Sequence, residues 1–214
     1  SGTPYTYTLT SPFQSNGIGT FSGLPAGTYS ITTKDVAGCT TSTTVVINEP
    51  APLTLSATPI TALCFGTATG TINLTGNGGT PTYSYNLNGG AYQASSSFAN
   101  QFSGIYSMGI RDANGCTATQ TVQVLQPTTL AIQVATQNAN CTSANGVASA
   151  TVTGGTPNPI YTYTWTGGGG ASAVSNSVVA GTYSVTATDG NGCSITAQAI
   201  VGLTPGGAAT ITAL

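Results

Sequence analysis

Polar and apolar residues alternate through most of this chain. Tyr83-Ser84-Tyr85-Asn86-Leu87 puts two tyrosines and a leucine on one face at a period of two. Leu53-Thr54-Leu55 and Thr71-Ile72-Asn73-Leu74 predict two earlier strands, residues 105–110 a later one and 116–125 a closing one. Turn clusters separate them: Gly76-Asn77-Gly78-Gly79-Thr80-Pro81, Asn88-Gly89-Gly90 and Asp112-Ala113-Asn114-Gly115. In the last of these, Asp supplies the first acceptor of a tight hairpin and Gly the position with φ > 0. Six or seven short strands at regular spacing, without a helical pattern, predict a β-sandwich.

The pattern then recurs. Gly27-Thr28-Tyr29-Ser30, Gly104-Ile105-Tyr106-Ser107 and Gly181-Thr182-Tyr183-Ser184 stand 77 residues apart. The same offset relates Asp35, Asp112 and Asp189, then Gly38, Gly115 and Gly192, then Cys39, Cys116 and Cys193, and also Cys64 and Cys141. Tyr5-Thr6-Tyr7, Tyr83-Ser84-Tyr85 and Tyr161-Thr162-Tyr163 recur at 78, so small insertions fall in loops while the strands hold register. Pro50, Pro127 and Pro205 punctuate the copies. The expected division is residues 1–50 as the C-terminal part of one copy, 51–127 and 128–205 as complete copies, and 206–214 as the first strand of another. It suggests a stretch of a longer repetitive polypeptide. A polymerising subunit whose ends complete each other is the alternative.

Composition narrows the function. Lys34, Arg111, Asp35, Glu49, Asp112 and Asp189 are the charged side chains, and there is no histidine. Two cations cannot neutralise a phosphate track, which argues against nucleic acid as a partner. Without His, catalysis of the Ser-His-Asp or Cys-His kind and His-ligated metal sites are gone. No apolar run reaches the length of a membrane span, and Ser1-Gly2-Thr3-Pro4 does not read as a signal peptide. Thr makes up about a fifth of the chain, and Val, Ile and Tyr are frequent, all of which favour strands.

Taken in order, Gly-Gly-Thr-Pro, Tyr-x-Tyr-x-(Leu or Trp), Gly-x-Tyr-Ser, Asp-x-x-Gly-Cys and a Pro linker resemble the SprB-type repeat. That repeat belongs to very large cell-surface adhesins of gliding Bacteroidetes and is related in style to PKD and immunoglobulin-like modules. The resemblance implies an all-β fold of tandem immunoglobulin-like β-sandwich repeats of about 77 residues. It also implies an extracellular, cell-surface location in a long adhesin or filament. The implied partners are neighbouring repeats of the same polypeptide or like chains in a filament.

Five cysteines are an odd number. The simplest pairing lies inside each complete copy, Cys64 with Cys116 and Cys141 with Cys193, leaving Cys39 with a partner outside the chain. Such bridges would help a small core, nominally by ~4 kcal/mol each less any strain. In an immunoglobulin topology, however, the turn after the first strand and the turn before the last lie at opposite ends. Bridges between adjacent copies, such as Cys64 to Cys193, are therefore geometrically open. No CxxC pair supports zinc.

The other candidates each have a structural reading. The turns at Asp35–Gly38, Asp112–Gly115 and Asp189–Gly192 suggest calcium loops, but each offers one carboxylate where calcium takes 6–8 oxygens, so they read as structural turns. No cofactor or metal is expected, and no paired acids for catalysis. Trp165 and the tyrosines suggest a sugar-stacking platform. Yet Trp165 aligns with Leu9 and Leu87, which reads as core. Tyr29, Tyr106 and Tyr183 each follow a Gly at the start of a late strand and resemble tyrosine corners. Lys34 beside Asp35 suggests an isopeptide bond, but Arg111 and Thr188 replace the lysine in the other copies. Asn73-Leu74-Thr75 and Asn140-Cys141-Thr142 fit the glycosylation sequon.

So little charge predicts side-by-side association that is nearly independent of ionic strength. It also leaves strand edges unprotected, so an outside segment is expected to cover residues 5–10 of the partial copy. Three function classes follow: a structural and adhesive surface filament, a carbohydrate-binding array with surface glycans as partner, or an enzyme. The first is preferred, with short linkers at 48–52 and 126–128 limiting bending.

Overall fold

In the computed structural model, residues 4–140, 143–157, 160–167 and 170–204 are described. Regular structure among them is entirely β. β1 (Thr6–Leu9), β2 (Gln14–Asn16), β3 (Gly27–Lys34) and β4 (Thr40–Ile47) form one antiparallel sheet in the order β2-β1-β3-β4. Next come β5 (Thr54–Ile60), β6 (Gly70–Asn77), β7 (Ser84–Leu87), β8 (Ser97–Gln101), β9 (Gly104–Arg111) and β10 (Thr117–Val124). They divide into the sheets β5-β6-β8 and β10-β9-β7. The pattern recurs with β11 (Thr128–Gln137), β12 (Gly146–Gly155), β13 (Thr162–Trp165), β14 (Val174–Val178), β15 (Gly181–Thr188) and β16 (Ser194–Val201). Their sheets are β11-β12-β14 and β13-β15-β16. First, second and fourth strands in one sheet, with third, fifth and sixth in the other, is the immunoglobulin arrangement without its D strand. The fold is a tandem of immunoglobulin-like sandwiches.

Alternation decides what each strand buries. In β15, Tyr183, Val185 and Ala187 point inward while their neighbours do not. Tyr183 and Val185 meet Ala148, Ala150, Trp165, Val178, Ala199 and Val201 in one core. The preceding sandwich packs Ile72, Leu74, Tyr85, Met108, Ile110 and Val124. Met108 and Ile110 are 0% exposed, and burying each such side chain contributes about 1.5–3 kcal/mol.

Among the described residues, the first copy has one of the two sheets. β4, the counterpart of β16, therefore exposes Val45, whose counterpart Ala199 is buried. Its edge is arranged differently from the expectation. β2 pairs with β1 through Tyr7↔Asn16, Thr8↔Ser15 and Leu9↔Gln14, so a hairpin of the same copy, rather than an outside segment, covers that edge. Residues 206–214, expected to open a further copy, lie outside the described residues.

In each complete copy one strand escapes the sequence pattern. β8 carries one large apolar residue, Phe98, and a left-handed Asn100 (φ 58°), and its register against β6 shifts between Gly70 and Ile72. β14 holds a left-handed Ser177 (φ 61°), and β12 shifts register against it in the same way. An irregular register breaks the period of two that reveals the other strands.

Candidate functional site: the junction between sandwiches

Each sandwich has two distinct ends. At one end, the turn before the last strand meets the turn between the second and third strands. In the second copy, Asp112 Oδ2 accepts from Thr80 N (2.8 Å) and Ala113 N donates to Thr80 O (3.1 Å). Gly79 N donates to Ala51 O (2.6 Å), tying the incoming linker to the same end. Gly78 and Gly79 are both left-handed (φ 74° and 59°), and a Cβ on Gly79 would lie 2.6 Å from Asp112 Oδ2. At the other end, the connection after the first strand packs beside the end of the last strand, where Ala62 N donates to Leu125 O (2.9 Å).

This layout corrects the expected disulfides. Cys64 is bonded to Cys193, Cα–Cα 5.8 Å, across the boundary between the second and third copies. Cys116 is an exposed free thiol, as is Cys39, and Cys141 lies outside the described residues. Inside one copy, Cys64 and Cys116 sit at opposite ends of strands spanning roughly 25 Å, whereas a disulfide needs Cα atoms within about 7 Å. End-to-end stacking instead brings the first connection of one copy onto the last turn of the next.

One further hydrogen bond joins the same surfaces, and another braces the cysteine-bearing connection from within its own copy. Asn191 Nδ2 donates to Leu63 O (2.9 Å), beside the bonded Cys64. Gln126, in the linker, accepts at Oε1 from Gly66 N (2.8 Å) and so latches the cysteine-bearing connection. An open cleft of about 350 Å³ lies in the junction, lined by Phe65, Pro127, Leu130, Asp189 and Ile195 among others.

The Asp turns present the cysteines. Asp189 Oδ1 accepts from Cys193 N (2.9 Å) and Asn191 N (3.0 Å), and Oδ2 accepts from Thr156 N (2.8 Å). Asp112 does the same with Cys116 N (2.8 Å), Asn114 N (3.0 Å) and Thr80 N. Asp35 accepts from Cys39 N (2.9 Å). Gly38, Gly115 and Gly192 take φ of 91°, 85° and 85°. Burial pushes the Asp189 carboxyl up, but N–H donors from Thr156, Cys193, Asn191 and Gly192 outweigh it and hold the group below its ordinary value. At Asp112 the Thr80 N–H is the largest influence and lowers the value; burial opposes it, and Cys116, Asn114 and Gly115 lower it further. These carboxylates are committed to backbone donors, and among the described residues no cluster of three potential metal ligands forms.

The aromatic candidates are placed as follows. Tyr29 Oη donates to Pro25 O (2.6 Å), Tyr106 Oη to Phe102 O (2.9 Å) and Tyr183 Oη to Val179 O (2.9 Å), each four residues upstream, the geometry of a tyrosine corner. Trp165 is 6% exposed, with Nε1 donating to Ser172 O (2.9 Å). A second tyrosine latch is not evident from the sequence pattern: Tyr83 Oη donates to Gly78 O and Tyr161 Oη to Gly154 O, both at 2.6 Å. Its signal is the Gly-Gly turn preceding each tyrosine pair. The role of Gln126 is equally hidden, because a lone Gln in a linker carries no pattern.

A family model for the SprB repeat matches residues 54–92 and 134–170. No curated protein sequence matches the chain. Among solved structures it is similar to Sidekick-1 immunoglobulin domains 1–5, at 14% identity over 94% of this chain and 52% of that one, TM-score 0.35. It is also similar to the eight N-terminal immunoglobulin domains of Down syndrome cell adhesion molecule, at 18% identity over 94% and 32%, TM-score 0.37. A third is surface layer protein SbsC, domains 1–6, at 15% identity over 96% and 36%, TM-score 0.33. The chain spans about half the length of the Sidekick-1 structure. Among the described residues no helix is long and apolar enough to cross a membrane. Two stretches of the chain thus match the SprB repeat, and each opens a sandwich whose strand order is immunoglobulin-like.

Proposed function

We propose that this chain is a covalently reinforced segment of a long bacterial cell-surface adhesin or extracellular filament, with copies bounded at 51–127 and 128–205, and that it performs no catalysis. The observation that carries this reading is the Cys64–Cys193 bridge, which joins one sandwich to the next rather than closing a core. A small sandwich that needed help to fold would gain most from a bridge within itself. A bridge at the boundary resists separation and bending of neighbours. Asn191 opposes the same movements through Leu63 O, and Gln126 braces the connection that carries Cys64. Tension entering along β5 reaches Cys64, crosses to Cys193 and leaves along β16, so the chain between the two cysteines is spared. The extracellular location fits a persistent disulfide.

Imaging the native cell surface with an antibody against this chain tests the reading. The expected result is label on thin surface fibres with a spacing near one repeat; label confined to the cell interior contradicts it.

A second reading, a carbohydrate-binding array, draws on one feature. An open cleft in the third copy is lined by Ile160, Tyr161, Tyr163 and Ala171–Ala173. Glycan-array binding that is abolished by Tyr163→Ala would favour it.

A further inference from the structure

The junction between the second and third copies has four working parts: a cysteine on the Asp turn, an Asn beside it, a linker oxygen, and a cysteine-bearing first connection. Three of these parts recur one repeat earlier. Cys116 sits on a turn whose backbone bonds to Asp112 match those of Cys193 to Asp189, including the closing Asp112 N–Cys116 O and Asp189 N–Cys193 O bonds (3.0 and 2.9 Å). Asn114 makes the same inner contact as Asn191, Nδ2 to the Thr80 hydroxyl at 2.8 Å against Nδ2 to the Thr156 hydroxyl at 3.2 Å. Asn191 additionally reaches Leu63 O of the neighbouring copy. Glu49 stands 77 residues before Gln126, exposed, with carboxylate oxygens where Gln126 presents the Oε1 that latches Gly66. The Cys39 turn lacks the Asn, having Ala37 in that position.

We propose that Cys116 is the receiving site of a second, identical staple, and that its partner is the cysteine on the first connection of another SprB-type repeat packed against this end of the 51–127 sandwich. This deepens the reading of the chain as a reinforced filament segment and rests on it. The exposure of Cys116, against the half-buried Cys193, is then the difference between an unoccupied and an occupied joint. The bond forms by thiol–disulfide exchange. Two thiols lose two hydrogens, and a disulfide oxidant, such as oxidised glutathione, accepts them and leaves as two thiols. With every joint closed, each boundary is crossed by two covalent threads, the linker peptide and the disulfide. Each sandwich is then traversed by two threads, one along its first strand and one along its last.

The test is non-reducing peptide mapping of the native polypeptide, alkylated on the intact cell surface before extraction. The expected result is the Cys116 peptide joined to a peptide from a first connection equivalent to residues 61–69, from the same chain or from a second one, with less than a tenth of Cys116 alkylated. Overturning results are an alkylated Cys116, Cys116 capped by glutathione, or Cys116 joined to Cys64 or Cys141 of its own chain, which the unchanged mass of the non-reduced polypeptide tells from a link between chains. These results leave the cell-surface imaging untouched, so the two readings fail separately. An Asn114→Ala variant of the same polypeptide is expected to raise the alkylated fraction several-fold while the sandwich stays folded; no change would remove Asn114 from the joint.

Discussion

The interior of a sandwich and the boundary between sandwiches are held in different ways. The core of the second copy rests on burial alone: Ile72, Met108, Ile110 and Val124 are sealed between two sheets, and no covalent bond crosses it. The boundary has an open cleft, a side-chain hydrogen bond from Asn191 to Leu63 O and a disulfide. The contrast separates two tasks. Burial gives each repeat its shape, and the disulfide governs how neighbours stay together.

The largest expected effect falls on the core. Met108→Ala or Ile110→Ala should cost about 2–5 kcal/mol in the urea unfolding of the second copy. A loss under ~1 kcal/mol would mean that burial is not what holds it. Next comes reduction of Cys64–Cys193. Unfolding the third copy while the second stays folded leaves a long closed loop, so reduction should lower its stability by roughly 2–4 kcal/mol. It should also uncouple the two copies: Met108→Ala should weaken the third copy in the oxidised chain but not in the reduced one. Independent unfolding in both states would place the disulfide's effect elsewhere.

A smaller effect is expected at the tyrosine corner. Tyr183→Phe leaves Val179 O without its donor and should cost about 0.5–1.5 kcal/mol in thermal or urea unfolding. The turn carboxylates come next. Asp112 and Asp189 titrate below their ordinary value of 3.8 in the folded state. Their stabilisation is therefore fully present above that value and is lost as pH falls through the lower, folded-state value. Acid titration of stability should show a fall below about pH 4 that Asp189→Asn makes shallower; an unchanged acid limb would contradict it. Ionic strength should matter least, since six charged side chains leave little to screen.

Much of the molecule is legible in the chain because repetition acts as its own control. Position 165 is Trp where the other copies have Leu, a substitution pattern that marks a core position, and Trp165 is buried. The Gly before each of Tyr29, Tyr106 and Tyr183 points to the corner. Cysteine pairing is harder to read. Equal spacing of Cys64–Cys116 and Cys141–Cys193 suggests closure within a copy, yet spacing along a chain does not report which end of a sandwich a loop occupies. Only the strand order sends the first connection and the last turn to opposite ends, and only stacking brings Cys64 to Cys193. β8 and β14 are hidden because left-handed residues and register shifts break the alternation that exposes a strand. The hairpin of β2 onto β1 is hidden by its length, three residues with no apolar alternation.

Single-molecule stretching of the chain by its two ends bears most directly on the junction. The cysteines of the bridge are 129 residues apart. At ~3.5 Å per residue, about 450 Å of contour should be missing from the fully extended oxidised chain and should return in one step when a thiol reductant is added. Equal extension with and without reductant, or two separate losses of roughly 180 Å matching bridges closed within single copies, would contradict the account.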